Sequence, residues 1–208
     1  MAFESQGTVL SMDAGGGSAV TITSLTVGYP TIFTKASHGL TSGTVVTLSG
    51  FAGDDAALLN GKTVVVQFPT TNTFAVAIDT TGKTITDGTA TPLTYVEIGE
   101  VTDWSGPGGS AAVIDKTHLQ STAKEKLIGL PDEGQFTFSL NCEFDDAGQT
   151  AFRTARADRT RKHFKVEYAD GTTQSFYGYA LSFSTSGAVD DKVKASATIE
   201  IDGEVTTT

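Results

Sequence analysis

Phe136, Phe138, Leu140, Cys142 and Phe144 alternate with Thr137, Ser139, Asn141 and Glu143, and no other stretch constrains the chain as much. A two-residue period belongs to a strand with one dry face and one wet face. Val193, Ala195, Ala197, Ile199 and Ile201 repeat the pattern against Lys194, Ser196, Thr198 and Glu200. Between the two runs, Asp145 or Asp146 is placed to cap a helix reaching about Asp158. Its apolar stripe is Ala147, Ala151, Phe152 and Ala155, with Arg153, Arg156 and Arg159 toward the other side. Phe164-Val166-Tyr168 and Phe176-Gly178-Ala180 flank Asp170-Gly171, a hairpin signal. Half-wet strands bracketing one helix leave a polar face that must meet either solvent or the inside of an assembly.

The 208 residues include 23 glycines, with 38% hydrophobic and 18% charged residues. This balance favours β structure with frequent turns. A formal charge of −10 repels nucleic acid and anionic membrane, so sequence-independent DNA binding through lysine and arginine is disfavoured. Arg153, Arg156, Arg159, Arg161, Lys162 and Lys165 nevertheless form a local basic patch. Such a patch can serve for pairing with an acidic partner surface, as a solvated helix face or as a DNA contact.

Chemistry-bearing patterns are sparse. The single cysteine, Cys142, excludes an intrachain disulfide framework and a cysteine-based zinc site, and its apolar phase marks a small core residue. His38, His118 and His163 lack the close spacing of zinc ligands. No Gly-x-Ser-x-Gly elbow or lysine-bearing phosphate loop occurs, and Asp54-Asp55 and Asp190-Asp191 sit in turn-rich segments. Neither an enzyme nor a cofactor is expected. The first thirteen residues lack a basic region followed by an apolar run, and no segment has the length to span a bilayer, so a soluble product made in a cytoplasm is expected.

Along the chain, Gly7 to Asp13 reads as a strand broken by Ala14-Gly15-Gly16-Gly17-Ser18, a flexible joint. Residues 18–92 then form a small inserted all-β domain, with strands near 19–27, 31–36, 44–48, 62–68 and 72–78. Its His38-Gly39-Leu40, Leu59-Asn60-Gly61, Thr73-Phe74 and Asp79-Thr80-Thr81-Gly82 resemble a β module that recurs in virion proteins of tailed phages. Strand character resumes at 93–101, and Thr102 to Gly109 is punctuated by glycine and proline. Residues 112–119 and 126–130 form the arms of a long hairpin loop projecting from the domain. Glu204 to Thr208 is read as a loose polar tail.

With the insert set aside, the chain resembles a major tail tube protein of a long-tailed, non-contractile phage. The matching pieces are Gly7-Thr8, Ile98-Gly99-Glu100-Val101-Thr102, Gly106-Pro107-Gly108 and Ile114-Asp115-Lys116-Thr117. Gly134 to Asn141, Asp170-Gly171 with Phe176 to Tyr179, and Val193 to Gly203 complete them. The resemblance implies a tail-tube-type β-sandwich or barrel with one helix. Residues 1–17 and 93–208 would form this discontinuous domain, with 18–92 on its outer surface. Six copies would close into rings stacked as a hollow tube through which double-stranded DNA passes without sequence-specific binding. Tape measure, tail terminator and distal tail or baseplate proteins would be its partners. The protein would belong to the virion tail, be assembled in the host cytoplasm and not insert into membrane.

Under this reading Thr137, Ser139, Asn141, Glu143, Lys194, Ser196, Thr198 and Glu200 line a net-negative lumen. Asp115, Lys116, His118, Lys124, Glu125 and Lys126 reach the next ring, and Arg153, Arg156, Arg159, Arg161 and Lys162 pair with neighbouring subunits. The competing reading is a β-rich adhesin whose residues 19–92 contact a host surface glycan.

Overall fold

The computed structural model describes residues 5–208; Met1–Glu4, part of the segment read for a leader pattern, lie outside the described residues. Among the described residues the protein is mainly β, with 49% in strands, 7% helical and a single α-helix. It divides into two compact units, residues 14–95 and residues 5–13 with 96–208.

Strand β1 (Val9–Gly16) runs through Asp13 into the first two glycines of the expected joint. The glycine run is therefore not a break. A Cβ on Gly16 would stand 2.7 Å from the Thr91 methyl, and the Gly17 N–H donates to the Pro92 carbonyl over 2.7 Å. Here glycine serves close backbone approach within the sheet.

In residues 14–95, β2 (Val20–Ile22), β3 (Ser24–Thr26), β4 (Thr31–Thr34), β5 (Val45–Ser49), β6 (Thr63–Val65), β7 (Thr73–Val76) and β8 (Gly88–Glu97) build two small sheets. One orders β3-β4-β7; in the other, β5 lies between β6 and β8, and β2 pairs with β8. Phe33, Phe51 and Phe74 meet in their shared core, with the Phe33 centroid 5.6 Å from Phe51 and 5.3 Å from Phe74. Buried His38 accepts from the Leu40 N–H at Nδ1 (3.0 Å), which leaves Nε2 to donate to the Thr73 carbonyl (3.1 Å). The ring thereby bridges two backbone groups of separate segments.

The remaining elements are β9 (Val101–Ser105), β10 (Ser110–Asp115), β11 (Lys126–Asp132), β12 (Gln135–Asn141), helix α1 (Ala147–Asp158), β13 (Arg161–Glu167), β14 (Thr173–Ser186), β15 (Lys194–Ile201) and β16 (Thr206–Thr207). The sheet of this unit orders β1-β13-β14-β15-β12-β9, with β16 beside β14. Phe136, Phe138, Leu140, Ala195, Ala197, Ile199 and Ile201 all face one core with Phe152 of α1. The sheet curls on itself: Trp104 on edge strand β9 lies 5.6 Å from Tyr168, just past β13, and stacks on Phe136 at 5.9 Å. No barrel closes among the described residues.

Several local expectations are corrected. Strand β12 stops at Asn141, so Phe144 lies exposed in the turn before α1 under the Arg153 guanidinium (5.0 Å). Cys142 is only partly buried against the core. On α1 the buried positions are Gly148, Gln149, Phe152 and Ala155, while Ala147 is exposed. The helix sits so close to the chain that a Cβ on Gly148 would fall 1.9 Å from the Glu97 carbonyl oxygen. Thr102 to Ser105 belong to a true strand whose irregularity is a bulge against β12, and regular pairing ends at Gly106-Pro107. Strand β15 begins at Lys194, leaving Val193 exposed. The C-terminal tail is docked: Thr206 pairs with Ser175 and Thr207 with Gln174, and Thr208 exchanges two backbone hydrogen bonds with Thr173.

Candidate functional site

The antiparallel register of β12 and β15 sets Thr137 opposite Thr198, Ser139 opposite Ser196 and Asn141 opposite Lys194. Directly opposed residues share a face, so these side chains form cross-strand rows on the side away from the core. Strand β9 extends the rows with Ser105 beside Thr137 and Asp103 beside Ser139. On the far side, β14 adds Ser182 beside Thr198, Ser184 beside Ser196 and Ser186 beside Lys194. A polar face four strands wide and dominated by short hydroxyl side chains results. Asp103, Ser105 and the three β14 serines are members that alternation in β12 and β15 alone did not reveal; strand pairing assigns them.

Charge on this face is uneven. Glu200 pairs across strands with Gln135 and accepts from its Nε2 (2.7 Å), and Glu100 accepts from Asn141 Nδ2 (2.7 Å). Lys194 is engaged by Asp191 at 2.8 Å, and its ammonium holds the Asp191 carboxyl below the usual carboxylate range. Glu143, grouped with the polar row by its phase, lies beyond the end of β12. Its backbone N–H donates to Gln149 Oε1 (3.0 Å), so it belongs to the approach to α1 and not to the face.

A second surface is the ribbon of β10 and β11, a sheet separate from the others. Val113 pairs with Ile128, Ile114 with Leu127 and Asp115 with Lys126. Beyond Asp115 the tip is held locally: Lys116 faces Glu125 at 3.6 Å, and Thr117 donates its N–H to Asp115 Oδ1 (2.9 Å). Hydrogen bonds from the Thr117 hydroxyl and N–H keep the Asp115 carboxyl ionised to lower pH than usual. His118 Nδ1 accepts from the Gln120 N–H (3.2 Å), while Lys124 lies exposed near the tip. The apolar residues of this ribbon are exposed, with Leu119 and Leu130 the most open.

Basic residues near α1 are divided in their engagement. Arg153 Nη2 donates to the Phe144 carbonyl and Thr150 Oγ1, each over 3.0 Å, and Arg156 Nη1 reaches the Phe183 carbonyl (3.4 Å). Arg161 lies 4.1 Å above the Tyr177 ring and binds Asp202 through Nε at 2.5 Å. Arg159, whose left-handed backbone (φ 54°) caps α1, and Lys162 have side chains without an ion-pair partner among the described residues. His163 is buried against Tyr177 (4.6 Å). Burial pulls its imidazole down to about 4, against the opposing pull of Asp13 and with a smaller contribution from Arg161.

A core-backed polar face and an exposed apolar ribbon are the two surfaces this geometry presents. The chain belongs to the lambda phage tail tube protein family, whose model matches residues 78–208. It is a structural component of a phage virion tail, in a family whose members associate with one another in the tail. Among solved structures, a chain of the cryo-EM structure of the anti-feeding prophage (AFP) baseplate, 6-fold symmetrised, is similar at 8% identity and a TM-score of 0.42. The similarity covers 55% of this chain and 84% of that chain. No curated protein matches.

Proposed function

We propose that six copies close into a ring with the face of β9, β12, β15 and β14 turned inward. Rings stack into a hollow tube, and double-stranded DNA passes through it into the host. The observation that carries this reading is the four-strand polar face, backed by a continuous core and built of serine and threonine rows. Such a face suits a water-filled channel wall. Asp103, Glu100 and Glu200 outweigh Lys194, which Asp191 already neutralises, so the wall repels phosphate and lets DNA slide.

Residues Asp115 to Lys126 reach the neighbouring ring, and Arg159 and Lys162 pair with acidic surfaces of neighbouring subunits. Residues 18–92 form a module on the tube exterior, a reading supported by the separate compactness of residues 14–95. The tape measure, terminator and distal tail proteins engage the assembled tube, which is built in the host cytoplasm. Electron microscopy of concentrated purified protein tests this function: hollow tubes with sixfold rings support it, and discrete monomers or trimers overturn it. Deleting residues 116–126 should leave a folded monomer that forms no tubes.

Exposure of Tyr29 and Phe68, two of the five aromatics of the module, favours the second reading, in which this module contacts a host glycan. Loss of glycan binding in a Tyr29→Ala, Phe68→Ala double variant that still forms tubes would support both roles together.

A further inference from the structure

Two clefts meet at Trp104. One, of 530 Å³, is lined by residues 5–8 on one side and 101–104 on the other. Neighbouring residues of a strand point to opposite faces, so a cleft that touches four consecutive residues of β9 runs along the strand's edge. That edge is the open one: among the described residues β9 pairs only with β12. The second cleft, of 340 Å³, lies where the sheet curls, between Trp104 and the hairpin that joins β13 to β14, with Tyr168, Thr172 and Gln174 on its walls. Ser5 lines both. A bare strand edge recruits other chains through its unpaired N–H and C=O groups, and proteins commonly lay a loop across it.

We infer that Phe3 seats its ring between Trp104 and Tyr168 and so latches the N-terminal segment over the open edge of β9. Reach permits it, since Phe3 stands two positions before Ser5, a span of about 7 Å. Size fits as well. A cavity of about 150 Å³ holds a benzene ring, so the 340 Å³ cleft takes a phenyl ring with its adjoining backbone. Chemistry selects the residue. Of Met1, Ala2, Phe3 and Glu4, only Phe3 brings an aromatic ring, and aromatic pairs gain beyond their buried area. The described residues that line the second cleft carry no charge, so a Glu4 carboxylate would find no ion-pair partner there.

Trp104 is the one tryptophan of the chain and reports on the cleft directly. At a dilution where the parent chain sediments as a monomer, Phe3→Ala should raise acrylamide quenching of Trp104 at least twofold, and Phe3→Leu should restore most of the protection. Backbone amides of residues 101–104 should exchange at least fivefold faster in Phe3→Ala, while those of β15 stay unchanged. Quenching equal to the parent's in Phe3→Ala overturns the inference. Protection that appears only as the parent concentration rises also overturns it, because the cover is then a second copy. None of these readouts requires rings or tubes, so their failure is distinct from failure of the proposed assembly.

A measurement on the parent chain avoids dependence on the variants. Nuclear Overhauser contacts from the Phe3 ring to the Trp104 indole or the Tyr168 ring support the latch. Their absence, in a spectrum that shows the stacked pair Trp104 and Phe136 in contact, overturns it.

Discussion

Gln149 Nε2 donates to the carbonyl of Asn141 over 3.1 Å, tying the first turn of the helix to the last residue of the strand that carries the polar rows. The same amide reaches the Gly99 carbonyl (3.2 Å), and its oxygen receives the Glu143 N–H. One buried side chain thereby satisfies three backbone groups from three segments and ends β12 where the sheet must give way to the helix. Buried polar groups left without partners are costly, which makes this bridge a point of leverage.

Gln149→Leu should lower stability by about 2–4 kcal/mol, because it strands those three groups without relieving the packing. Urea denaturation followed by circular dichroism measures the loss. A change below about 0.5 kcal/mol would mean that water replaces the amide freely. Asp146→Ala, which removes the acceptor of the Gln149 N–H at 2.7 Å, should cost about 1 kcal/mol in the same assay.

Gly148→Ala should reverse the usual gain from replacing a helical glycine. An added methyl would overlap the Glu97 carbonyl oxygen, forcing the helix off the chain beside it. A loss of about 1–3 kcal/mol is expected where an open helix would gain up to about 1 kcal/mol. A raised melting temperature would refute the close approach.

His163 makes stability depend on pH in a defined window. Its folded imidazole is held neutral down to about 4, whereas in the unfolded chain it takes up a proton near 6.5. Protons bind the unfolded state first as pH falls, so stability drops through this window, by about 3 kcal/mol in all, and levels off below it. The lowered carboxyls of Asp55, Asp79, Asp115 and Asp191 act only at lower pH, below the usual carboxylate value of 3.8. Urea titrations at pH 7.5 and 4.5 should show the drop, and His163→Phe should remove most of it. An imidazole NMR titration with a midpoint near 6.5 would contradict this account.

Ser196→Lys sits at the centre of the proposed channel wall and should spare folding and tube formation, since the position is exposed and its row neighbours are short. Six added cations per ring would hold the phosphate backbone, so phage carrying the variant should plate at least tenfold lower with tails of normal length. Equal plating would argue against an inward-facing position.

Alternation is legible in a linear sequence because each strand residue declares its side by its chemistry; thus Phe136 to Leu140 and Ala195 to Ile201 mark a core face and a polar face. The Asp-Gly turn and the helix with its Asp146 cap were legible for a similar reason, being set by residues a few positions apart. Cross-strand register is not local. Only the fold places Asp103 and Ser105 beside Thr137 and Ser139, adds the β14 serines, and excludes Glu143, whose phase is right but whose strand has already ended.

The glycines teach the same distinction. Gly15-Gly16-Gly17 reads as a hinge by composition, but a Cβ on Gly16 would crowd the methyl of Thr91, a residue distant in sequence. Likewise the polar tail looked loose until Thr206 and Thr207 found the unpaired edge of β14. By itself the sequence determined the β class, the helix, the hairpins and the existence of a wet sheet face, because periodicity, caps and turns act over short range. Tertiary structure decided which strands share that face, where it stops and which basic residues are already engaged, because those depend on backbone pairing and close approach between segments far apart in the chain.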